Sequence, residues 1–147
     1  MKLLAEILCA TSLALACTGV NAGPLVTDEE ARLPNATGAA ASRGVTRGPG
    51  IKLVSPDPAS KSVKSPFDFK LSFEPRGGSK IDTTSVKLYY MKNPLVDLTD
   101  RVQSGIKGDG INLSKVEMPA GEHPLRVTVN DDEGRSSSSL ITVIVVK

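Results

Sequence analysis

The chain is poor in the residues from which most enzyme and metal sites are built. Its 147 residues include no tryptophan, one histidine (His123) and two cysteines (Cys9 and Cys17). A catalytic base or a metal ligand needs partner groups at fixed spacing, and no motif supplies them for His123. We interpret His123 as a turn histidine hydrogen-bonded to backbone at the entry to a strand. We therefore expect no catalytic, cofactor-binding or metal-ligating residue and no cofactor.

The chain also lacks a large excess of charge of either sign. The 18 Lys and Arg residues are interspersed with 16 Asp and Glu residues, which leaves a net charge of +2. No polybasic run is present, so nucleic acid and anionic lipid are not indicated as partners. The serine run Ser136–Ser139 has no nearby base, and no Gly-x-Ser-x-Gly elbow occurs. The sequence therefore predicts a protein that is not an enzyme.

Residues 1–22 have the composition of a secretory signal peptide. Lys2 precedes an apolar stretch over residues 7–16, and Val20-Asn21-Ala22 fits a small-x-small cleavage pattern. The apolar run is shorter than the roughly 20 residues of a membrane span. We expect cleavage after Ala22 and a periplasmic or secreted protein. Two alternatives stay open: a lipoprotein box ending at Cys17, which would carry a lipid anchor, and an amphipathic first helix.

Residues 23–48 are rich in Ala, Gly, Thr, Ser and Pro, without an apolar period of two or 3.6. This composition predicts a flexible linker, with disorder over residues 36–42. One or two helical turns are indicated within residues 26–33, where Thr27 or Asp28 would be the N-cap and Pro34 would end the helix. The predicted domain boundary follows at residue 49.

Period-two alternation dominates residues 49–147. All three phenylalanines lie on one face of Phe67–Glu74, together with Leu71, so this strand is predicted to be central. Val86, Leu88 and Tyr90 form the core face of another strand. Near Ile111–Met118 the register slips once, as at a β-bulge.

A hairpin ends the chain. Leu125, Val127 and Val129 alternate with polar residues, and the β-branched run Leu140–Val146 forms the second strand. The acidic stretch that closes on Gly134 forms the turn. About seven strands in about 100 residues predict one all-β immunoglobulin-like antiparallel sandwich. An up-and-down barrel is the alternative.

Residues 121–129, followed by 132–135, resemble the penultimate strand and last turn of bacterial immunoglobulin-like domains. The chain as a whole is similar to small secreted proteobacterial proteins that carry one such domain. The resemblance covers residues 49–147 and implies a fold. It implies no activity, because such folds host many roles. The Cys…Trp…Cys core of antibody domains is absent.

Two classes of function remain. The first is a monomeric envelope module that binds a protein or glycan, or that acts only as a spacer. Its contact surfaces would be an edge at Leu95–Ile106 and the loops Arg76–Lys80 and Asp131–Arg135. The second is a β-sandwich carrier of copper, calcium or a small ligand. Its candidate ligands for copper are His123, Met91 and Met118, and those for calcium are Asp109, Asp131, Asp132 and Glu133.

Overall fold

Alternating apolar residues in this chain form two β-sheets that pack face to face. The structure is a computed structural model that describes residues 24–38 and 47–147. The predicted signal peptide, its cleavage site and Cys17 lie outside these residues. In the part of the chain that the structure describes, no helix has the length and apolar character that crossing a membrane requires.

The described strands are β1 (Gly50–Ser55), β2 (Val63–Lys64), β3 (Phe67–Glu74), β4 (Ile81–Tyr90), β5 (Val96–Asp97), β6 (Ile106–Lys107), β7 (Gly110–Val116), β8 (Gly121–Asp131) and β9 (Ser136–Val146). They divide between a four-stranded sheet in the order β1-β3-β7-β6 and a five-stranded sheet in the order β2-β9-β8-β4-β5. The predicted all-β sandwich is therefore confirmed, and the sheets do not close into a barrel.

Strand number and direction differ in detail from the prediction. The described chain has nine strands because β2, β5 and β6, of two residues each, add to the longer ones. Strands this short carry no readable alternation. The pairing of β2 with β9 is parallel, through Val63 with Val145 and Lys64 with Val146. The other strand pairs within the described chain are antiparallel.

Strand β3 carries the centre of the four-stranded sheet, as its alternation predicts. Its phenylalanine face is buried: Phe69 is fully covered, and Phe67 and Phe73 are nearly so. The facing sheet contributes the buried residues Val86, Leu88 and Tyr90 of β4 and Leu125, Val127 and Val129 of β8. Because each fully buried side chain of this size stabilises by roughly 1.5–3 kcal/mol, the two faces supply the main driving force for folding.

Strand β7 contains the predicted irregularity. Its pairing with β3 shifts register between Phe67 and Phe69, and Lys115 there adopts a φ of 54°. That geometry is a β-bulge. At the other end of β7, a Cβ on Gly110 would overlap the carbonyl oxygen of Leu71, so this position requires glycine.

The terminal hairpin has the predicted strands and turn. Gly134 has a φ of 78°, which favours glycine in the turn between β8 and β9. The serine run belongs to the second strand, where Ser136–Ser139 pair with Asn130–Val127.

Residues 95–106 contain more regular structure than an edge strand and a loop. After β5, a short helix α2 (Thr99–Val102) and one 3₁₀ turn (Gln103–Gly105) lead to β6. Leu98 and Val102 are fully buried, so this stretch forms part of the core.

Residues 24–38 pack on the sandwich, which corrects the predicted linker for this part of the chain. Leu25 is 4% exposed and Val26 is fully buried within the main hydrophobic cluster. The predicted helical turn is present as α1 (Asp28–Ala31), and Thr27 is its N-cap in a capping box with Glu30. An isolated Leu-Val pair has no period in the sequence, so its burial depends on tertiary contacts alone. Residues 39–46, with most of the predicted disorder, lie outside the described residues.

Candidate functional site

The two loops predicted as contact surfaces lie side by side at one end of the sandwich. The guanidinium of Arg135 donates to the carbonyl of Arg76 at 3.1 Å. The main-chain N–H of Lys80 donates to Asp132 Oδ1 at 3.0 Å, and Lys80 accepts from the main-chain N–H of Asp132 at 2.9 Å. These cross-connections bring the two predicted surfaces together and fix their shape.

The acidic turn is organised around Asp131. Its buried carboxylate accepts from Arg135 Nε at 2.7 Å and from the main-chain N–H groups of Glu133 and Arg135 at 3.1 and 2.9 Å. Burial acts to raise the pKa of Asp131, but the hydrogen bonds and charge of Arg135 outweigh burial and lower it. The carboxylate is therefore neutralised within its own turn. In the described chain, no three His, Cys, Asp or Glu residues group closely enough to hold a metal ion.

His123 lies inside the domain with both ring nitrogens occupied. Nε2 is 2.7 Å from the carbonyl oxygen of Pro119, so it carries the hydrogen, and Nδ1 accepts from the Tyr90 hydroxyl at 2.9 Å. The backbone bond confirms that part of the prediction for His123, but the residue lies within β8 and not in a turn, and its tyrosine partner comes from another strand. Burial lowers the pKa of His123, and the charge of Lys92 lowers it further. A histidine held in this way has no free nitrogen for a metal.

A polar cluster fastens residues 24–38 to the sandwich beside Tyr90. The ammonium of the buried Lys92 donates to Asn35 Oδ1 at 2.8 Å and to the carbonyl of Ala31 at 3.3 Å. It also lies 5.2 Å from the centre of the Tyr90 ring, in cation–π range. Burial, followed by the charge of Glu30, raises the pKa of Tyr90 to about 12. These groups are mutually satisfied, so the cluster is structural.

A second attachment joins Glu30 to Arg101 of α2. The guanidinium makes two hydrogen bonds to the carboxylate, at 2.8 and 2.7 Å, and a third to the carbonyl of Leu25 at 2.9 Å. The bonds from Arg101, partly opposed by burial, lower the pKa of Glu30 to about 2. A bidentate pair of this kind has a defined geometry.

The open side of the molecule is the outer edge of β9. Its only ladder partner there, among the described residues, is β2, at Val145 and Val146. At the opposite end, Gly48 packs against Ser136 and Ser137. Between these two stops, the outward N–H and C=O groups of residues 138–144 have no ladder partner in the described chain, although the start of β1 lies close to Ser138 and Ser139. A row of unpaired main-chain groups is a template for another strand.

A groove runs along this open edge. Its volume is about 540 Å³, and one wall is residues 139–144 of β9, while the loop of residues 56–62 forms the other. Leu53 and Val63 line the groove and are only partly buried. Ile144, in the β9 wall of the groove, is 43% exposed. The groove therefore combines unpaired main-chain groups with an apolar floor, beside a loop wall that is largely polar.

The sequence of strand β9 carries none of the residues that usually protect an edge strand. Its eleven residues include no charged residue, proline or glycine. Natural edge strands are usually protected by lysine, proline, a bulge or a covering segment. The other predicted edge differs, since β5 has two residues and is followed directly by the buried α2 region. Compared with the two loops and the β5 edge, the β9 edge has the chemistry that favours a partner strand.

A second depression of about 550 Å³ lies between residues 24–28 and 117–119. Its walls carry Asp28 and Glu117, which belong to no group of three potential metal ligands in the described chain.

No protein-family model, curated protein or solved structure matches this chain. The sequence contained one signal for the β9 edge, which is the uncharged run 136–146. That run predicts a strand, but it does not reveal which side of the strand is left open.

Proposed function

We propose that this chain is an exported, non-enzymatic immunoglobulin-like module that binds a protein partner at the open edge of β9. The observation that carries the proposal is the seven-residue stretch of β9 with unpaired outward main-chain groups beside a groove with an apolar floor. An extended peptide offers the complementary row of donors and acceptors. This complementarity favours a protein over a glycan as the partner.

The strand order supports the immunoglobulin-like assignment. The sheet β1-β3-β7-β6 follows the order of the A, B, E and D strands of that fold. In the other sheet, β4, β8 and β9 are adjacent, as the C, F and G strands are. The resemblance of residues 121–135 to a penultimate strand and last turn fits the same assignment.

Export is supported by the sequence of residues 1–22. Cleavage after Ala22 would leave a chain without cysteine, stabilised by its core alone. Intact mass spectrometry of the exported protein is expected to find Gly23 as the first residue. A lipid-modified species that begins at Cys17 would replace this assignment with a membrane-anchored module.

Site-specific photocrosslinking in the producing cells tests the binding function. A photoreactive residue is placed at Ser139 in the groove, at Lys80 in the loops, or at Lys107 on the far edge of the other sheet as the matched control. The proposal expects one protein adduct from Ser139 that is absent from Lys107 and forms again with the purified partner. Adducts from Lys80 alone would move the site to the loops. Absence of adducts from all three positions would make the domain a spacer.

A further inference from the structure

The groove beside β9 restricts the chemistry of what can fill it. Resting on the proposed binding function, we infer that the occupant is one extended peptide segment, uncharged in its middle and apolar at alternate positions. At the end beside β2 it carries an acidic side chain. The length of the open edge, the opposite wall, the apolar floor and the charges at one end each restrict this occupant.

The open edge fixes the length of the segment. It runs from residue 138 to residue 144, because Gly48 packs against the residues before it and β2 pairs with those after it. Seven residues of strand span about 24 Å at about 3.4 Å each. A partner strand of five to seven residues fits between the two stops.

The wall opposite the edge favours a single strand over a second folded copy. The loop of residues 56–62 faces β9 across the groove, so the edge of another sandwich would meet this loop first. Antiparallel pairing of two β9 strands would also bring Lys61 and Lys64 of one copy beside Arg47 of the other, since Arg47 precedes the Gly48 stop. Like charges placed together oppose such a pair.

The floor of the groove requires alternate apolar side chains. Leu53 and Val63 line it and remain partly exposed, beside the buried Ile141 and Val143. Side chains of an added strand point alternately to its two faces. One set would cover Leu53 and Val63, and the other would face solvent. A charge in the first set would be removed from water without a partner, which is costly.

The β2 end of the groove is positively charged. Lys61 and Lys64 are exposed there, and in the described chain neither lies within ion-pair distance of a carboxylate. Asp57 in the loop wall carries one negative charge, so the two lysines outnumber the carboxylate. Strand β9 contributes no charge. A carboxylate on the partner at this end completes the electrostatic match.

Defined peptides test this inference on the purified exported chain. The probe is Glu-Val-Ser-Val-Thr-Val-Ser with both ends blocked, and one comparison peptide carries Lys in place of Glu. A second comparison peptide has proline at its central position, which removes a main-chain donor. Binding is followed by NMR titration and by hydrogen exchange of the amides in residues 138–144.

We expect the Glu peptide to bind about two- to five-fold more tightly than the Lys peptide, the range for an exposed ion pair. The double variant Lys61→Glu and Lys64→Glu should reverse this preference, while Lys107→Glu should leave it unchanged. Exchange should slow at outward-facing amides of residues 138–144, and the proline peptide should bind more weakly. A structural role of the lysines would not reverse a charge preference.

The failures of the two proposals are distinguishable. Equal binding of the Glu and Lys peptides, or protection confined to the 76–80 and 131–135 loops, would overturn the inference. A protein adduct at Ser139 would then still support the binding function. Adducts at Ser139 with a second copy, or with another part of the same chain, would also overturn the inference. Absence of any adduct overturns the binding function itself.

Discussion

Replacing Leu25 with alanine tests whether residues 24–38 belong to the folded domain. The side chain of Leu25 is 4% exposed and lies in the main hydrophobic cluster, beside the fully buried Val26. Its main chain is held as well: the N–H donates to Glu117 at 3.0 Å, and the carbonyl accepts from Arg101 at 2.9 Å. The substitution removes the side chain and keeps both of these bonds.

The expected cost is about 2–5 kcal/mol, the range for removing a buried leucine side chain and leaving a cavity. A domain of this size has a free energy of unfolding of about 5–15 kcal/mol. A loss of about 3 kcal/mol, with a urea m-value of about 2 kcal/mol per M, would lower the unfolding midpoint by about 1.5 M. Such a shift is easily measured.

Urea unfolding followed by circular dichroism measures this effect, and Leu95→Ala is the matched control. Leu95 is 54% exposed, so the same chemical change there should alter stability by no more than about 0.5 kcal/mol. Equal midpoints for the two variants would refute the reasoning, because Leu25 would then contribute no more than a surface leucine. The domain would in that case begin near residue 49.

Four further predictions concern the sandwich itself. Phe69→Ala should cost about 3–5 kcal/mol, and a loss below about 1 kcal/mol would mean that the phenylalanine face is outside. Gly110→Ala should lower the free energy of unfolding by about 1–3 kcal/mol or more, since the added Cβ would overlap the Leu71 carbonyl. Gly108→Ala is the control, because a Cβ there meets no atom within 4 Å, and an equal loss of stability in both variants would contradict this prediction. Burial holds the pKa of His123 below 6.5, so the contribution of neutral His123 to the free energy of unfolding is complete above about pH 6.5 and declines as pH falls, by at most about 1.4 kcal/mol per pH unit. His123→Gln should flatten the dependence of the free energy of unfolding on pH between pH 7 and 5.5. An unchanged dependence would assign that slope to other groups. EDTA should leave the melting temperature unchanged, and a drop of several degrees would show that the Asp131 turn or His123 holds an ion.

Strong local patterns in the sequence predicted most of the sandwich. The bounds of β3 coincide with the predicted Phe67–Glu74, because strict alternation between Pro66 and Pro75 leaves one arrangement. The slip in β7 and the Gly134 turn were also predictable, since a broken alternation and an acidic run closed by glycine have direct backbone causes. The partners of these strands in the two sheets were not, because pairing order is non-local.

The predictions failed where structure depends on distant contacts. The burial of Leu25 and Val26 has no periodic signal, and helix α2 has four residues, too few to show a period. The candidate site was not predicted for the same reason, since it too depends on contacts between distant parts of the chain. The sequence predicts β9 as a strand, but its open side exists because β2 pairs with only the last part of it. Pairing over two residues cannot be read from composition.

The attachment of residues 24–38 also determines how the domain would respond to a pulling force. This segment is held by two buried side chains, the Glu30–Arg101 pair, the Lys92 contacts and a few main-chain hydrogen bonds, fewer than the β8–β9 hairpin makes. The β8–β9 hairpin, with ten paired positions, would stay intact meanwhile. Fifteen released residues extend by about 50 Å. A force applied at the N-terminal end of the described domain would therefore lengthen the chain before it separated the β8–β9 hairpin.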